Sequence, residues 1–271
     1  MLSWHSRPDY LAANFVENGW SIKKLNKFIV MSNTYRQSSD YQTKAAEADA
    51  DNKLLWRYNR HRLEAEAIRD SMLQVGGMLN AKMGGPGVFP PVPAGTITAL
   101  SATAAAGGWS QEKDPLQNNR RSVYIFVRRN LRYPMLQEFD TPNTFEVWHT
   151  RKNTVTPAQS LDILNNDLIL EWARAFAGRV MSESKASSEP WEQVDRAYRI
   201  SYGRGATADE LKTATAFLEQ QTVVMAKRLA SNGVKPPMPT KTMEGMDPAR
   251  SAAFVDLCQM LFASNEFLYI N

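Results

Sequence analysis

The amino-acid sequence predicts a mainly α-helical protein with a minor two-stranded β element and a long Gly/Pro-rich loop. Three observations carry this. Apolar residues recur at helical spacing along most of the chain, and several of those stretches open on capping boxes. One continuous run of β formers, Val123-Tyr124-Ile125-Phe126-Val127, stands apart from that spacing. Between Asn80 and Asn118 the pattern collapses into Gly, Pro, Ala and Ser, a connection long enough to be either functional or mobile.

The elements follow in order. Ser6-Arg7-Pro8-Asp9 reads as a capping box, with Leu11, Ala12, Phe15 and Val16 on one face and Gly19 as a left-handed stop. Ser21 opens a second helix, with Trp20 and Leu25 at staple spacing and Ile22, Leu25, Phe28 and Ile29 as its expected buried side. So short a turn predicts a helical hairpin. Thr34 to Asp51 is polar and expected to wrap the surface. From about Arg62 a strong helix places Ala65, Ile68, Met72, Val75 and Leu79 on one stripe. The 123–127 run is expected to be a buried strand, with its partner near Leu54 to Tyr58, because a lone strand is not stable. Thr156, Pro157 and Gln159 mark the next helix start as cap, first helical residue and capping-box partner. Further helices are expected from Leu168, from Trp191 to Gly203 or Gly205, from the Thr207 capping box to Ser231, and from Asp247-Pro248 with Phe254, Leu257, Cys258 and Leu261 inward.

At 271 residues the chain lies near the upper size of one core. The division expected is a helical core with strand element and loop over 1–183 and a C-terminal helical subdomain over 184–271, with a single domain as the alternative. A formal charge of +4 is spread along the chain, without the Lys/Arg block that grips nucleic acid, so no nucleic-acid partner is expected. No apolar run approaches transmembrane length and no membrane insertion is expected. The first residues lack the basic-then-apolar order of a signal peptide. Cys258 is the one cysteine, which excludes an intrachain disulfide and a Cys-rich metal site.

The segments NGWSIKKLNKFIVMSNTYRQSS, RLEAEAIRDSMLQVGGML, RRSVYIFVRR, FDTPN, TPAQSLDILNND, YRISYGRGATADE and SNEFLYI resemble, in collinear order, successive signatures of one family. It is the planctomycete-specific C-terminal domain of unknown function found in large surface proteins that often carry cytochrome-c-like modules. That family's domain starts earlier, with an Asn-Arg-x-Trp and a Gly-Leu-Val segment, and this sequence also has no Cys-x-x-Cys-His. The resemblance implies a fragment of a longer exported protein of the periplasm or cell surface, whose other domains are its partners. It implies c-type haem only in those other modules, with no cofactor in this chain, and it supplies no catalytic residues.

Charged and aromatic residues give the candidate sites. Glu66 and Asp70, four apart on one helical face, are expected in structural ion pairs with Arg121 and Arg128, and Arg62 and Arg69 lie within reach of Glu66. Arg120, Arg121, Arg128, Arg129 and Arg132 bracket the 123–127 run, and Arg128 and Arg129 must point to opposite faces of a strand. An outward set of guanidinium groups suits a sulfated or carboxylated polysaccharide, with Trp109, Trp148 and Arg129 as binding candidates. The two Trp residues equally suit plugs over the core. Asp49, Asp51 and Asn52 hint at a calcium turn but lack its Gly and closing Glu. His5, His61 and His149 show no metal-ligand spacing, so no metal is assigned. Asp140, His149 and Arg151 are the only catalytic candidates, as an acid–base or anion site.

The preferred reading is an accessory or interaction module of a secreted multidomain protein, binding a partner domain or a glycan. Two alternatives stand beside it. One is a hydrolase-type enzyme around Asp140, His149 and Arg151 with the Gly-rich loop as a lid, and the other is a purely structural scaffold.

Overall fold

The computed structural model of the chain describes residues 6–92, 109, 111–128, 132–184, 189–231, 233–242 and 245–270. Helices dominate, as the apolar spacing predicts, and the β element is one two-stranded sheet of β1 (His61–Arg62) and β2 (Tyr269–Ile270). The chain forms two compact units, Met1–His61 with Tyr269–Asn271, and Arg62–Leu268.

The first unit holds the predicted hairpin, α1 (Ser6–Glu17) and α2 (Ile22–Val30), and a short α3 (Thr43–Ala48) within the polar stretch. Gly19 turns left-handed at φ 73° and the Ser21 hydroxyl accepts from the Lys24 amide, so both predicted turn signals act. The buried side expected of α2 is not found. No α2 residue is buried, and Ile22 is 68% exposed. Two short helices cover one seam, and Trp20 packs edge-on against Phe15 at 5.4 Å. The Asp49 carboxylate accepts from the Lys53 and Leu54 amides at 3.0 and 2.7 Å, so the acidic turn closes on itself.

The second unit is built on α4 (Ala65–Val75), α5 (Pro115–Asn118), α6 (Pro134–Glu138), α7 (Pro157–Asn165), α8 (Asp167–Glu183), α9 (Pro190–Tyr202), α10 (Ala208–Ala230), α11 (Pro248–Phe262) and α12 (Asn265–Leu268). Its centre is α8 against α11, with α10 along the other side of α11. Trp172, Phe176, Phe254 and Phe262 are all buried, and the Phe176 and Phe262 rings stack at 5.6 Å. Each such side chain stabilises by about 1.5–3 kcal/mol. Full capping boxes close at Thr156/Gln159 and Thr207/Glu210. Gly178 lets the 238–241 loop run against α8, because a Cβ there would meet the Lys241 amide nitrogen at 2.8 Å.

The expected strand at 123–127 is replaced by a 3-10 turn, Ser122–Tyr124, followed by extended chain. Val123 and Val127 are exposed, and Ile125 alone turns inward. The cause lies in side chains of α4. Asp70 accepts from both the amide and hydroxyl of Ser122, at 2.8 and 2.7 Å, while Arg69 Nη1 donates to the Arg120 carbonyl at 2.9 Å. These bonds replace a strand ladder. The neighbour is Val88, through one parallel bridge to Ile125, and not Leu54–Tyr58, which lie in a turn. Residues 82–92 of the Gly/Pro-rich loop are thereby held. Arg120 donates to the carbonyls of Lys82, Gly84 and Pro86 and stacks on the Tyr124 ring, and Phe89 stacks on Phe126 at 4.8 Å.

Candidate functional site

The site grows from the end of α6. Pro134 starts that helix, and it stops with a Schellman turn in which Thr141 N–H donates to the Leu136 carbonyl at 3.0 Å and Asp140 N–H to Gln137 at 3.3 Å. The left-handed position is filled by Asp140, φ 65°, where glycine is usual. Its carboxylate explains the choice. It forms an ion pair with Arg62 and accepts from the Thr154 amide and hydroxyl, both at 2.8 Å. Arg62, 4% exposed along its side chain, also donates to Asn153 Oδ1 at 3.2 Å and lies over the Phe139 ring. These contacts tie the two ends of the 141–153 loop together. Gln159 adds a bond to the Glu138 carbonyl at 2.9 Å.

The loop is fastened a second time by Arg151. Its guanidinium grips Glu66 with two nitrogens, at 2.6 and 3.2 Å, and reaches Glu64 at 3.4 Å, joining the loop to the first turn of α4. Asp70, the other acid of the α4 pair, is held by Ser122, with Arg69 at 3.6 Å and Arg121 at 3.9 Å. Arg128 makes no ion pair among the described residues, and Arg129 lies outside them.

Two adjoining cavities open beside this loop. A polar one of about 360 Å³ is walled by Arg132, Asp140, Trp148, Arg151 and Lys152. An apolar one of about 470 Å³ is walled by Val123, Ile125, Phe126, Tyr133 and Leu136. Arg132, Thr141, Pro142 and Arg151 belong to both walls. Both volumes fall in the range of about 300–1,000 Å³ usual for small-molecule sites. Charge in the polar cavity is unbalanced. Asp140 is neutralised by Arg62 and Arg151 by Glu66, and no carboxylate among the described residues pairs with Arg132 or Lys152. Lys152 Nζ lies 4.7 Å from the centre of the half-exposed Trp148 ring. Thr141 belongs to both walls, but its Oγ1 is shut from solvent and has no hydrogen-bond partner among the described residues. Leaving such a group unmatched costs about 1–3 kcal/mol. The Tyr133 hydroxyl is likewise unpartnered, and burial pushes its pKa up against the opposing pull of Arg69.

Of the catalytic candidates, Asp140 and Arg151 line the polar cavity, with their charges engaged internally. His149 is exposed and lines neither cavity. Trp109 is in the interior, 6% exposed, its indole N–H donating to the Pro90 carbonyl at 2.6 Å, so it offers no face to a sugar. Arg132 carries a signal in sequence as one of the bracketing arginines. Thr141 and Lys152 carry none, because only the loop closure brings them to the cavities. Covalent haem does not fit these residues, since it needs paired cysteines. Cys258 stands alone and fully buried in α11, its thiol pushed well up by burial.

A family model described as PSD1, protein of unknown function (DUF1553), matches residues 8–218. The chain belongs to this family. No curated protein and no solved structure matches it. The PSD1 match contains α4, the 122–127 segment and the whole 132–152 loop, so the two cavities lie inside the family's own domain. It ends within α10, before α11, whose side chains nevertheless fill the core.

Proposed function

We propose that this PSD1 domain is a non-catalytic interaction module that holds an acidic glycan in the polar cavity. The observation that carries the reading is the pair of cations without carboxylate partners among the described residues, Arg132 and Lys152, which line a cavity of about 360 Å³ together with Trp148. A carboxylate or sulfate matches the guanidinium fork, and an indole face suits a sugar ring. The internal pairing of Asp140 and Arg151 supports binding rather than acid–base chemistry, because the Asp140 carboxylate is engaged by Arg62 and Thr154 and the Arg151 guanidinium by Glu66.

The collinear resemblance supports a wider setting, in which the module belongs to an exported planctomycete protein whose companion domains bear c-type haem. Those domains are then its protein partners. Titration calorimetry with polyglucuronate, a sulfated glucan and a neutral glucan tests the ligand. Polyglucuronate or the sulfated glucan is expected to bind, and Arg132→Gln with Lys152→Gln to abolish that binding without lowering the melting temperature. Equal heats from the neutral glucan, or none from any of the three, rule the reading out.

A further inference from the structure

The apolar cavity has no role in holding a bare acidic sugar, yet it shares four wall residues with the polar one. We propose that the ligand is an acidic sugar bearing an apolar aryl or acyl substituent, with the acid group at Arg132 and Lys152 and the substituent between Val123, Phe126 and Leu136. This rests on the acidic-glycan reading and adds the second half of the ligand.

Three features support it. The two cavities adjoin, with Arg132, Thr141, Pro142 and Arg151 lining both, so an acid group in one and its substituent in the other fall within the length of one molecule. Arg132 lines both cavities, and an arginine can offer its guanidinium to an acid while its aliphatic stem packs against an apolar group. On the far side, Val123 and Phe126 line the apolar cavity and remain exposed although they are large and apolar.

The test uses the full chain and three probes, glucuronic acid, 4-nitrophenyl β-glucuronide and 4-nitrophenyl β-glucoside. The aryl glucuronide is expected to bind at least about tenfold more tightly than glucuronic acid, the scale set by burying one ring. Val123→Asp, at a position 71% exposed, is expected to remove that gain and leave glucuronic acid binding and the melting temperature unchanged. Equal affinity for glucuronic acid and its aryl form overturns the inference while the acidic-glycan reading stands. Equal affinity for the glucoside and the glucuronide overturns both, since the acid then contributes nothing. Absence of binding by all three overturns the inference, and the polyglucuronate titration decides the reading beneath it.

Discussion

Arg62 and Asp140 meet at the base of the 141–153 loop, a nearly buried guanidinium facing a carboxylate whose own backbone is left-handed. The ion pair is thus joined to a helix stop. Sequence order conceals this, since the partners are 78 residues apart.

That coupling separates two effects at one position. Asp140→Ala loses the pair and keeps the backbone cost, whereas Asp140→Gly loses the pair and removes the cost. Both are expected to destabilise, because Arg62 is left buried and unpaired, by about 3 kcal/mol for Ala. Gly is expected to be milder by about 1 kcal/mol. Urea unfolding of the two variants measures the difference, and equal midpoints would contradict it.

Acid sensitivity should centre on Glu210. Arg204 clasps it at two distances of 2.8 Å while also holding Glu266, and its carboxyl is pulled down from 4.5 to about 2, chiefly by the Arg204 hydrogen bonds. A depressed carboxyl stabilises the fold above its unfolded pKa and loses that contribution as pH falls through the folded value. Stability should therefore decline between about pH 5 and pH 2. With both side chains about a third exposed, solvent screening leaves about 1–2 kcal/mol. Glu210→Gln should be less stable at pH 7 and show a shallower decline, as read by chemical unfolding across that range.

Gly178→Ala sets helix propensity against space. Alanine would favour α8 by about 1 kcal/mol. The Cβ would nevertheless press on backbone, the Lys241 amide nitrogen, which yields less readily than a side chain. Net destabilisation of about 1–3 kcal/mol is expected, visible as a lower melting temperature. A higher one would mean that the 238–241 loop gives way freely.

Glu66→Gln should release Arg151 from its bidentate grip, leaving it the 3.4 Å contact with Glu64, and raise the positive charge beside the polar cavity by one. Polyglucuronate affinity is expected to rise several-fold at low salt and the gain to fade as salt is raised. The double variant Glu66→Gln, Arg151→Gln should lose the gain. Calorimetry at two ionic strengths reads both outcomes.

The helices were legible because their signals are local. Thr156 with Gln159 and Thr207 with Glu210 each lie three residues apart, within one turn, and both close as read. The 123–127 run misled for the opposite reason. Its β formers speak for a strand, but Asp70, 52 residues away, holds Ser122 by its amide and hydroxyl where the chain turns. The α2 stripe likewise marks a helix correctly without saying whether anything covers it. At the site, Arg132 and Trp148 stood out as residue types. The engagement of Arg151 by Glu66, 85 residues distant, did not, and it is what leaves Arg132 and Lys152 as the cations available to a ligand.

The clasp around Arg120 carries a consequence for how this stretch tolerates change. Within the Gly/Pro-rich loop its guanidinium donates to the main-chain oxygens of Lys82, Gly84 and Pro86, atoms that every residue type supplies. Side chains at 82 and 83 are therefore free to drift among relatives without loosening the coil they belong to. Arginine at 120 has no such latitude, because its planar fork places two nitrogens on three separate carbonyls while its face lies on the Tyr124 ring.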